Sequence, residues 1–552
     1  MINRNNIGSH IMLPLSMLVC GWLSVWFGKE LCWDLAHYHY YTPFAFLHSR
    51  QGIDFWPNSY IHQFINPTID LLSYFLINSF TPRTAEFILG ALHGINLWLA
   101  FLIARRYLPA RTSNWPGVFN MNTLLAIFLA ALGLYGPTAL PGIGSFQNDN
   151  LVSIFVLGFV LLQIRALDDS TVMHKLPVKP LLISGFILGL GFGLKLTAGI
   201  YVAGATIATL ILPVPVNTRL KWLLLWGFST AIGMSLTAGH WMYLMWQQHH
   251  NPFFPFFNSI FHSPDFVSIN WRDQRFLPQG ILQTLFFPFY FALDGRTADA
   301  PFRDFRFPVV FVLFVLAGIQ WAWMKPRQKE NSHPQNRVTH TVQVQQYWLF
   351  AFFIFSYLVW QFYFSIARYL VVLEILSPLV IFLLIRQVIN NIHVRIVLLV
   401  TIFYSLIILL SPIPMVRAPW YDTSFFNVRL PQSVYSTPKA TVLITYTAYV
   451  MDQNPRPQSY LIPFFPSQWH FIGVPFWHER YLSDHAVSQQ ITSHLHHAEG
   501  KIYLLSSDMN MPAFYQAAQK FGLIPAGKCE KILSDRQAVT HQNVLLCEVR
   551  QL

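Results

Sequence analysis

Apolar residues in this chain come in long blocks rather than in alternation. Up to Leu410 the blocks are Ile11–Phe27, Thr84–Arg106, Met121–Pro137, Leu151–Ala166, Leu181–Leu194, Thr197–Leu212, Trp222–Trp246, Phe307–Trp323, Tyr347–Ile366, Leu370–Ile385 and Ile396–Leu410. A helix that crosses a bilayer needs about 20 apolar residues, so the pattern predicts about eleven crossings. Pro67 to Phe80 is apolar too, but its length of about 14 residues suits an interfacial or re-entrant piece.

After Ser411 the pattern changes. The apolar runs shrink to strand length at Val442–Tyr446, Tyr460–Phe464, Ile502–Leu505 and Val544–Cys547. Helix-like polar stretches, Ser483–His497 and Pro512–Phe521, lie between them, which predicts a small α/β domain. The expected fold is therefore an α-helical polytopic membrane domain over residues 1–411, followed by an α/β domain over 412–552.

Composition supports the membrane reading. Hydrophobic residues make up 54% and charged residues 11% of the 552, with a mean hydropathy of +0.40, whereas soluble proteins carry about 25% charged residues. The net charge of +12 does not point to nucleic acid, whose binders cluster basic residues on a polar domain. Here the cations punctuate the gaps between apolar blocks. Arg105/Arg106/Arg111, Arg165/Lys175/Lys179, Arg219/Lys221, Lys325/Arg327/Lys329 and Arg386/Arg395 all fall on the same side as Arg4. The positive-inside rule places that side, and the N-terminus, in the cytoplasm. Counting Pro67–Phe80 as a crossing would invert every later loop. Arg303 and Arg306 fall on the other side, in a loop of about 60 residues where the rule loses force.

The outer face then receives a first loop, residues 28–83, a second loop, residues 247–306, and the C-terminal domain. The second loop, with Asn251-Pro-Phe-Phe-Pro-Phe-Phe-Asn258, suits short interfacial helices. Phe27-Gly28-Lys29-Glu30 is unlike a signal-peptide junction, so the first block is read as a retained helix.

Candidate chemistry concentrates in the first loop, at Glu30-Leu-Cys-Trp33-Asp34-Leu-Ala-His37-Tyr-His39-Tyr40-Tyr41. An acid at the bilayer boundary is costly and marks a site by default. The plainer alternative is an aromatic belt closing a helix, with Asp34 a solvated cap. Asp149, within Asn148-Asp149-Asn150, offers a second acid on the same side, although helix capping alone would explain it. Lys195 interrupts a long apolar run and either snorkels or serves as a point charge for a phosphate. Arg368-Tyr369 closes an outer helix end, where the charge rule makes arginine unusual.

Cys529 and Cys547 are either a disulfide, which an oxidising compartment permits, or two buried thiols. His494, His496 and His497 have no partner ligands at zinc spacing and read as a solvated helix face. There is no phosphate-binding Gly-x-x-x-x-Gly-Lys-Ser/Thr loop, dinucleotide fingerprint or His-Glu-x-x-His.

The ordered series Trp33-Asp34…His37-Tyr-His39-Tyr-Tyr, Phe46-Leu-His-Ser-Arg50, Gln63-Phe-Ile-Asn66-Pro67, Gly-Leu-Lys195-Leu-Thr197 and Arg368-Tyr-Leu-Val-Val-Leu-Glu374 resembles the GT-C superfamily of integral-membrane glycosyltransferases. The resemblance covers the chain from Met1 to about Ser411. It implies a polyprenyl-phosphate sugar donor and a lipid, glycan or protein acceptor. It implies an extracytoplasmic site, in keeping with a bacterial inner membrane and a cell-envelope glycan. It also implies a catalytic carboxylate in the first outer loop, the place of Asp34. Glu30 lies four residues earlier, and the two adjacent acids of some relatives are missing, so Glu30 and Asp149 stay as alternatives.

On this reading Asp34 is the base, and Lys195 and Arg368 hold the departing phosphate. His37 and His39 orient Asp34 or bind sugar hydroxyls, and Trp33 and Tyr40 offer a sugar platform or anchor the belt. No cofactor is required, and a divalent ion is compatible with the site. The competing classes are a flippase or transporter of lipid-linked glycans, and a polymerase or ligase joining preassembled ones. A carrier would place its polar site near the bilayer midplane.

The topology is checked by thiol labelling. A cysteine placed within Lys325–Arg337 should resist a membrane-impermeant reagent in intact cells, and one at Ser483 should react. The reverse pattern would turn the molecule over.

Overall fold

The computed structural model describes residues 4–58, 61–108, 121–173, 176–324, 336–415, 417–420, 424–445, 458–474, 484–507, 518–540 and 543–552. Arg111, Lys175, Lys325, Arg327, Lys329 and Ser483 lie outside the described residues, as does most of Pro512–Phe521. The chain divides into two compact units, each built from separated stretches. One comprises Met1–Ser24, Ile88–Gly239 and Arg272–Met415, and the other Val25–Phe87, His240–Trp271 and Val416–Leu552.

Helices form at all eleven long apolar blocks. Among the described residues, seven of the helices are long and apolar enough to cross a membrane. Four shorter apolar helices, Ile11–Phe27, Met121–Leu134, Val178–Leu194 and Leu196–Leu210, accompany them. Thr68–Ser79 is a helix of 12 residues. At 1.5 Å per residue it spans about 18 Å, short of a hydrocarbon core of about 30 Å.

In the first unit, burial separates centre from periphery. The window within Ala367–Val388 is 89% buried, and that within Ile392–Leu409 only 11%. Both are apolar all round, so the difference reports which one faces lipid.

Lipid supplies no hydrophobic drive between helices, so close packing relies on small residues. Gly185, Gly189 and Gly193 recur every fourth position along one face of Val178–Leu194, against Trp226, Thr230 and Thr237 of Val216–His249. Thr230 donates to the Gly185 carbonyl at 3.0 Å and Thr237 to the Leu190 carbonyl at 3.1 Å.

The buried charges in this unit are paired. Arg306 grips Asp304 at 2.8 and 2.9 Å. Glu374 accepts from the Thr138 hydroxyl at 2.5 Å and from the Thr138 and Ala139 N–H groups at 3.1 and 2.8 Å. Arg306 is thus fully buried where a helix begins, which explains an arginine that the charge rule left on the outer side.

Among the described residues, the second unit carries seven strands in two sheets. Strands β1 (Lys29–Glu30) and β2 (Arg417–Ala418) form an antiparallel pair. The larger sheet contains β3 (Ala440–Thr445), β4 (His470–Val474), β5 (Lys501–Ser507), β6 (Leu523–Ile532) and β7 (Val544–Gln551), in the order β4-β3-β5-β7-β6. Strands β4, β3 and β5 run parallel, and β7 and β6 add antiparallel. Every residue of β3 is buried, as expected of a parallel strand covered on both faces.

Cys529 and Cys547 face each other across β6 and β7 and form a disulfide, which suits an oxidising, extracytoplasmic compartment. Tyr460–Phe464 is not a strand. It belongs to a 3₁₀ helix, Ser459–Phe464, where Pro463 could not have donated to a ladder. Strands β4 and β6 form in stretches where the sequence pattern predicts none.

Ligands of open parallel sheets bind where the strand order reverses, here at the carboxyl ends of β3 and β5. Among the described residues, Gln458 lies against that position: with its amide oriented to satisfy both contacts, it donates to the Leu505 carbonyl at 3.3 Å and accepts from Ser507 N–H at 3.0 Å. At its outer edge the sheet acts as a frame.

The first loop extends that frame. Phe55 N–H donates to the Phe471 carbonyl and Gly473 N–H to the Phe55 carbonyl, both at 2.8 Å, along the outer edge of β4. Arg50 binds Asp54 at 2.5 Å and donates to the Ser467 and Trp469 carbonyls, each at 2.6 Å. A Cβ on Gly473 would meet the Trp56 carbonyl oxygen at 1.9 Å, and a backbone atom cannot swing aside. Gly473→Ala should therefore cost about 1–3 kcal/mol, read as a lowered midpoint of thermal unfolding. Gly227→Ala, where nothing lies within 4 Å, should be silent or stabilising in the same assay.

Candidate functional site

The polar side chains singled out by the sequence gather in two clusters, one in each unit. The cluster in the second unit begins at the end of the first helix. Gly28 has φ +96°, and a Cβ there would lie 2.8 Å from the Ala418 carbonyl oxygen, so the left-handed turn and the close approach both call for glycine. The turn delivers Lys29 and Glu30 to β2. Lys29 Nζ meets Asp535 at 2.5 Å. Glu30 is fully buried, and its N–H donates to Glu86 at 2.7 Å. Arg417 lies 3.4 Å from the same carboxylate.

Beyond Cys32 the chain coils into a π-helical turn, Leu35–His39, closed by Tyr40 N–H donating to the Leu35 carbonyl at 3.2 Å. Such turns are rare overall and frequent at functional sites. Asp34 starts this turn. It is only 6% exposed and makes no capping bond through its side chain, so it is not a solvated cap.

Rings pack beside it. Trp33 lies 4.2 Å from His37 between centroids, His37 5.0 Å from His62, and Tyr38 stacks on His62 at 4.7 Å. His39 Nδ1 shares a proton with Asp70 at 2.7 Å, both groups being buried. Tyr40 is 2% exposed, its ring set among Tyr74, Phe426 and Phe464 and its hydroxyl on Asn78 at 3.0 Å. It belongs to the packed core, and burial raises its phenol above the ordinary value.

Burial, and then the charges of His62, Arg536 and His39, lower the basicity of His37 well below the ordinary 6.5, with Asp34 alone opposing. His37 is thus held neutral at pH 7, and its surroundings resist protonation. The Cys32 thiol is pushed up by burial and by the charges of Glu30 and Asp34, which makes it a poor nucleophile.

The cluster in the first unit assembles from three interruptions of helices. Asp149 opens Asp149–Met173, Lys195 sits in extended backbone after Val178–Leu194, and Arg368 lies in the 3₁₀ turn Ala367–Leu370. Lys195 Nζ reaches Asp149 at 2.6 Å and the Gln147 carbonyl at 3.0 Å. Arg368 Nε lies 3.9 Å from the other oxygen of Asp149. The Tyr369 ring is 5.5 Å from the charge of each cation, and Tyr201 fixes its backbone by donating to the Tyr369 carbonyl at 2.5 Å. Two cations against one carboxylate leave an excess of one positive charge, a setting that favours a further anion.

Glu30, Asp34, Trp33, His37 and His39 thus fall in one cluster, and Asp149, Lys195, Arg368 and Tyr369 in the other. Sequence reasoning gave no role to His62, Asp70, Asp535 or Arg536. An acid within the short apolar run of Asp70 was a usable signal. Nothing in the local sequence marked Asp535 and Arg536. Among the described residues, no group of three or more His, Cys, Asp or Glu side chains is placed to hold a metal ion. Comparison with protein families, with curated proteins and with solved structures finds no match to this chain.

The neutral state of His37 has a thermodynamic consequence. The unfolded chain takes up a proton near pH 6.5 that the folded chain refuses, so stability falls as pH drops below that value. One such group contributes a slope of at most about 1.4 kcal/mol per pH unit. Thermal unfolding between pH 8 and pH 5 should show a flatter acid limb for His37→Gln than for the parent. Coincident slopes would mean that His37 titrates normally.

Proposed function

We propose that the protein is an integral-membrane glycosyltransferase. It moves a sugar from a polyprenyl-phosphate donor to a hydroxyl of a lipid, glycan or protein acceptor on the extracytoplasmic face of the membrane. The observation that carries this reading is Asp34, a carboxylate 6% exposed at the start of a π-helical turn and flanked by a histidine kept neutral. A buried carboxylate beside an imidazole of perturbed basicity is the kind of pair that functional sites gather.

The donor is already activated by its phosphate, so neither a nucleotide nor a covalent intermediate is needed. Asp34 takes the proton of the acceptor hydroxyl. The acceptor oxygen bonds to the anomeric carbon as the bond from that carbon to the phosphate oxygen breaks. The phosphate leaves with the electron pair and needs a cation to hold its charge, the part that the sequence pattern assigns to Lys195 and Arg368. A displacement in one step inverts the anomeric centre. The GT-C resemblance supports the same assignment of Asp34, and the disulfide between Cys529 and Cys547 supports the extracytoplasmic face.

The test is transfer from a panel of radiolabelled polyprenyl-phosphate hexoses and pentoses by the purified chain. Transfer to a hydroxyl acceptor is expected, whereas passage of the label across a sealed vesicle without transfer would make the protein a carrier. Asp34→Asn keeps size and removes the base, so turnover should fall about a hundredfold to ten-thousandfold. Near-normal transfer would shift the role to Glu30 or Asp149.

Arg368→Lys keeps charge but loses the planar fork, and donor affinity should drop about tenfold to a hundredfold. A silent Arg368→Lys, with Lys195→Ala simply additive to it, would make the two cations independent of any shared anion.

A further inference from the structure

We propose that Arg536, in the helix Asp535–Thr540, is a positioning residue for Asp34, holding the backbone that leads into the π-helical turn. The proposal rests on the reading of Asp34 as the base, and it gives the C-terminal domain a part in the reaction.

The geometry lies within one compact unit. Arg536 is 7% exposed, and its Nη1 donates to the Leu31 carbonyl at 3.3 Å and the Cys32 carbonyl at 3.1 Å. Those are the last peptide groups before Trp33 and Asp34. Asp535, its neighbour, takes Lys29 at 2.5 Å, while its own N–H donates to the Phe426 carbonyl at 2.9 Å. Two adjacent residues of opposite charge therefore hold three positions of a six-residue segment, Lys29 to Asp34. Asp535 grips a cationic side chain, and Arg536 grips two carbonyls.

The guanidinium is itself fixed, its carbon 6.0 Å from the Tyr460 ring, whose hydroxyl bonds Ser534 at 2.7 Å. Downstream, Leu35 N–H donates to Cys32 Sγ at 3.4 Å and Ala36 N–H to the Cys32 carbonyl at 3.3 Å. Cys32 is thus the hinge from which the turn is hung, and Arg536 holds that hinge.

Both bonds leave one nitrogen, Nη1, held in the rigid guanidinium plane, whereas a lysine ammonium could reach the two carbonyls only from a flexible stem. The guanidinium charge also acts on the turn. His37 faces Asp34, His62, His39 and Arg536, and of these only Asp34 favours its protonation. Removing the cation should make His37 easier to protonate and shift the acid limb of the rate profile upward in pH.

The experiment compares the full chain with Arg536→Gln and Arg536→Lys, purified in detergent. Hydrogen exchange is followed in peptides covering residues 29–40 and strands β3 and β5, alongside turnover with the radiolabelled panel across pH. Arg536→Gln should speed exchange in 29–40 about tenfold and leave the two strands unchanged. It should lower kcat about a hundredfold, the scale of a misplaced reacting group, with KM for the donor within about twofold of the parent. Its acid limb should move up in pH, and Arg536→Lys should recover part of the rate.

Unchanged exchange in 29–40 would overturn the proposal. So would acceleration shared by β3 and β5, or equal rates for the Lys and Gln variants, since either describes a general scaffold. If the parent chain transfers no sugar from any member of the panel, the glycosyltransferase reading fails. Exchange alone then decides whether Arg536 holds the turn.

Discussion

Lys29 is fully buried and its ammonium meets Asp535 at 2.5 Å, and the second unit is organised around that contact. A buried ammonium without its partner carries a penalty of several kcal/mol, and breaking such a pair from one side costs about 3–5 kcal/mol. Positions separated by 506 residues are thereby obliged to meet. Once they do, β1 lies against β2, Arg536 reaches the Leu31 and Cys32 carbonyls, and the chain enters the π-helical turn from one direction only. The first loop carries short helical pieces of its own, and the sheet domain holds it at Phe55, Arg50 and Lys29.

The two clusters handle charge in opposite ways, and the contrast bears on chemistry. At Asp149 the ions are partly exposed, with Lys195 at 18% and Arg368 at 29%, and they sum to a positive excess. That setting suits an incoming anion, which would add charge-assisted hydrogen bonds and displace water at little cost. At Asp34 the groups are buried, and the imidazole of His37 is kept neutral. That setting suits the movement of a proton, because acid and base there differ by one proton and not by an ion pair.

The membrane part was legible because lipid imposes one rule on every residue. A span must be apolar throughout and must satisfy its backbone internally, so composition alone locates it. The sheet domain obeys weaker rules. Strand β6, Leu523 to Ile532, carries Lys528, Glu530 and Lys531 and is largely exposed along its middle, so no apolar run announces it. Strand β4 has five residues and lies close to Pro466, with Gly473 inside it. Tyr460–Phe464 looked like a strand because short apolar runs fit strands and buried turns equally well. In the two clusters, charges at the membrane boundary were conspicuous because they are costly there, as with Asp34, Lys195 and Arg368. Partnerships were not: Lys195 finds Asp149 from 46 positions away, and Arg536 finds Leu31 from 505.

The location of Lys195 follows from packing. Gly185, Gly189 and Gly193 let Val178–Leu194 approach the neighbouring helix until backbone nearly touches backbone, with Cβ positions 2.1 to 2.3 Å from facing atoms. A seam this close fixes the helix rotationally and axially, because any side chain added along it would push the pair apart. The glycine row stops at Gly193 and the helix stops one residue later. Lys195, the first residue past the seam, takes extended backbone at φ −149° and ψ 114°. It therefore leaves the helix in a direction set by the packing behind it and meets Asp149 at the start of another span. Replacing a glycine in that row would disturb the cation through the helix that carries it, although none of the three glycines has a side chain to offer the site.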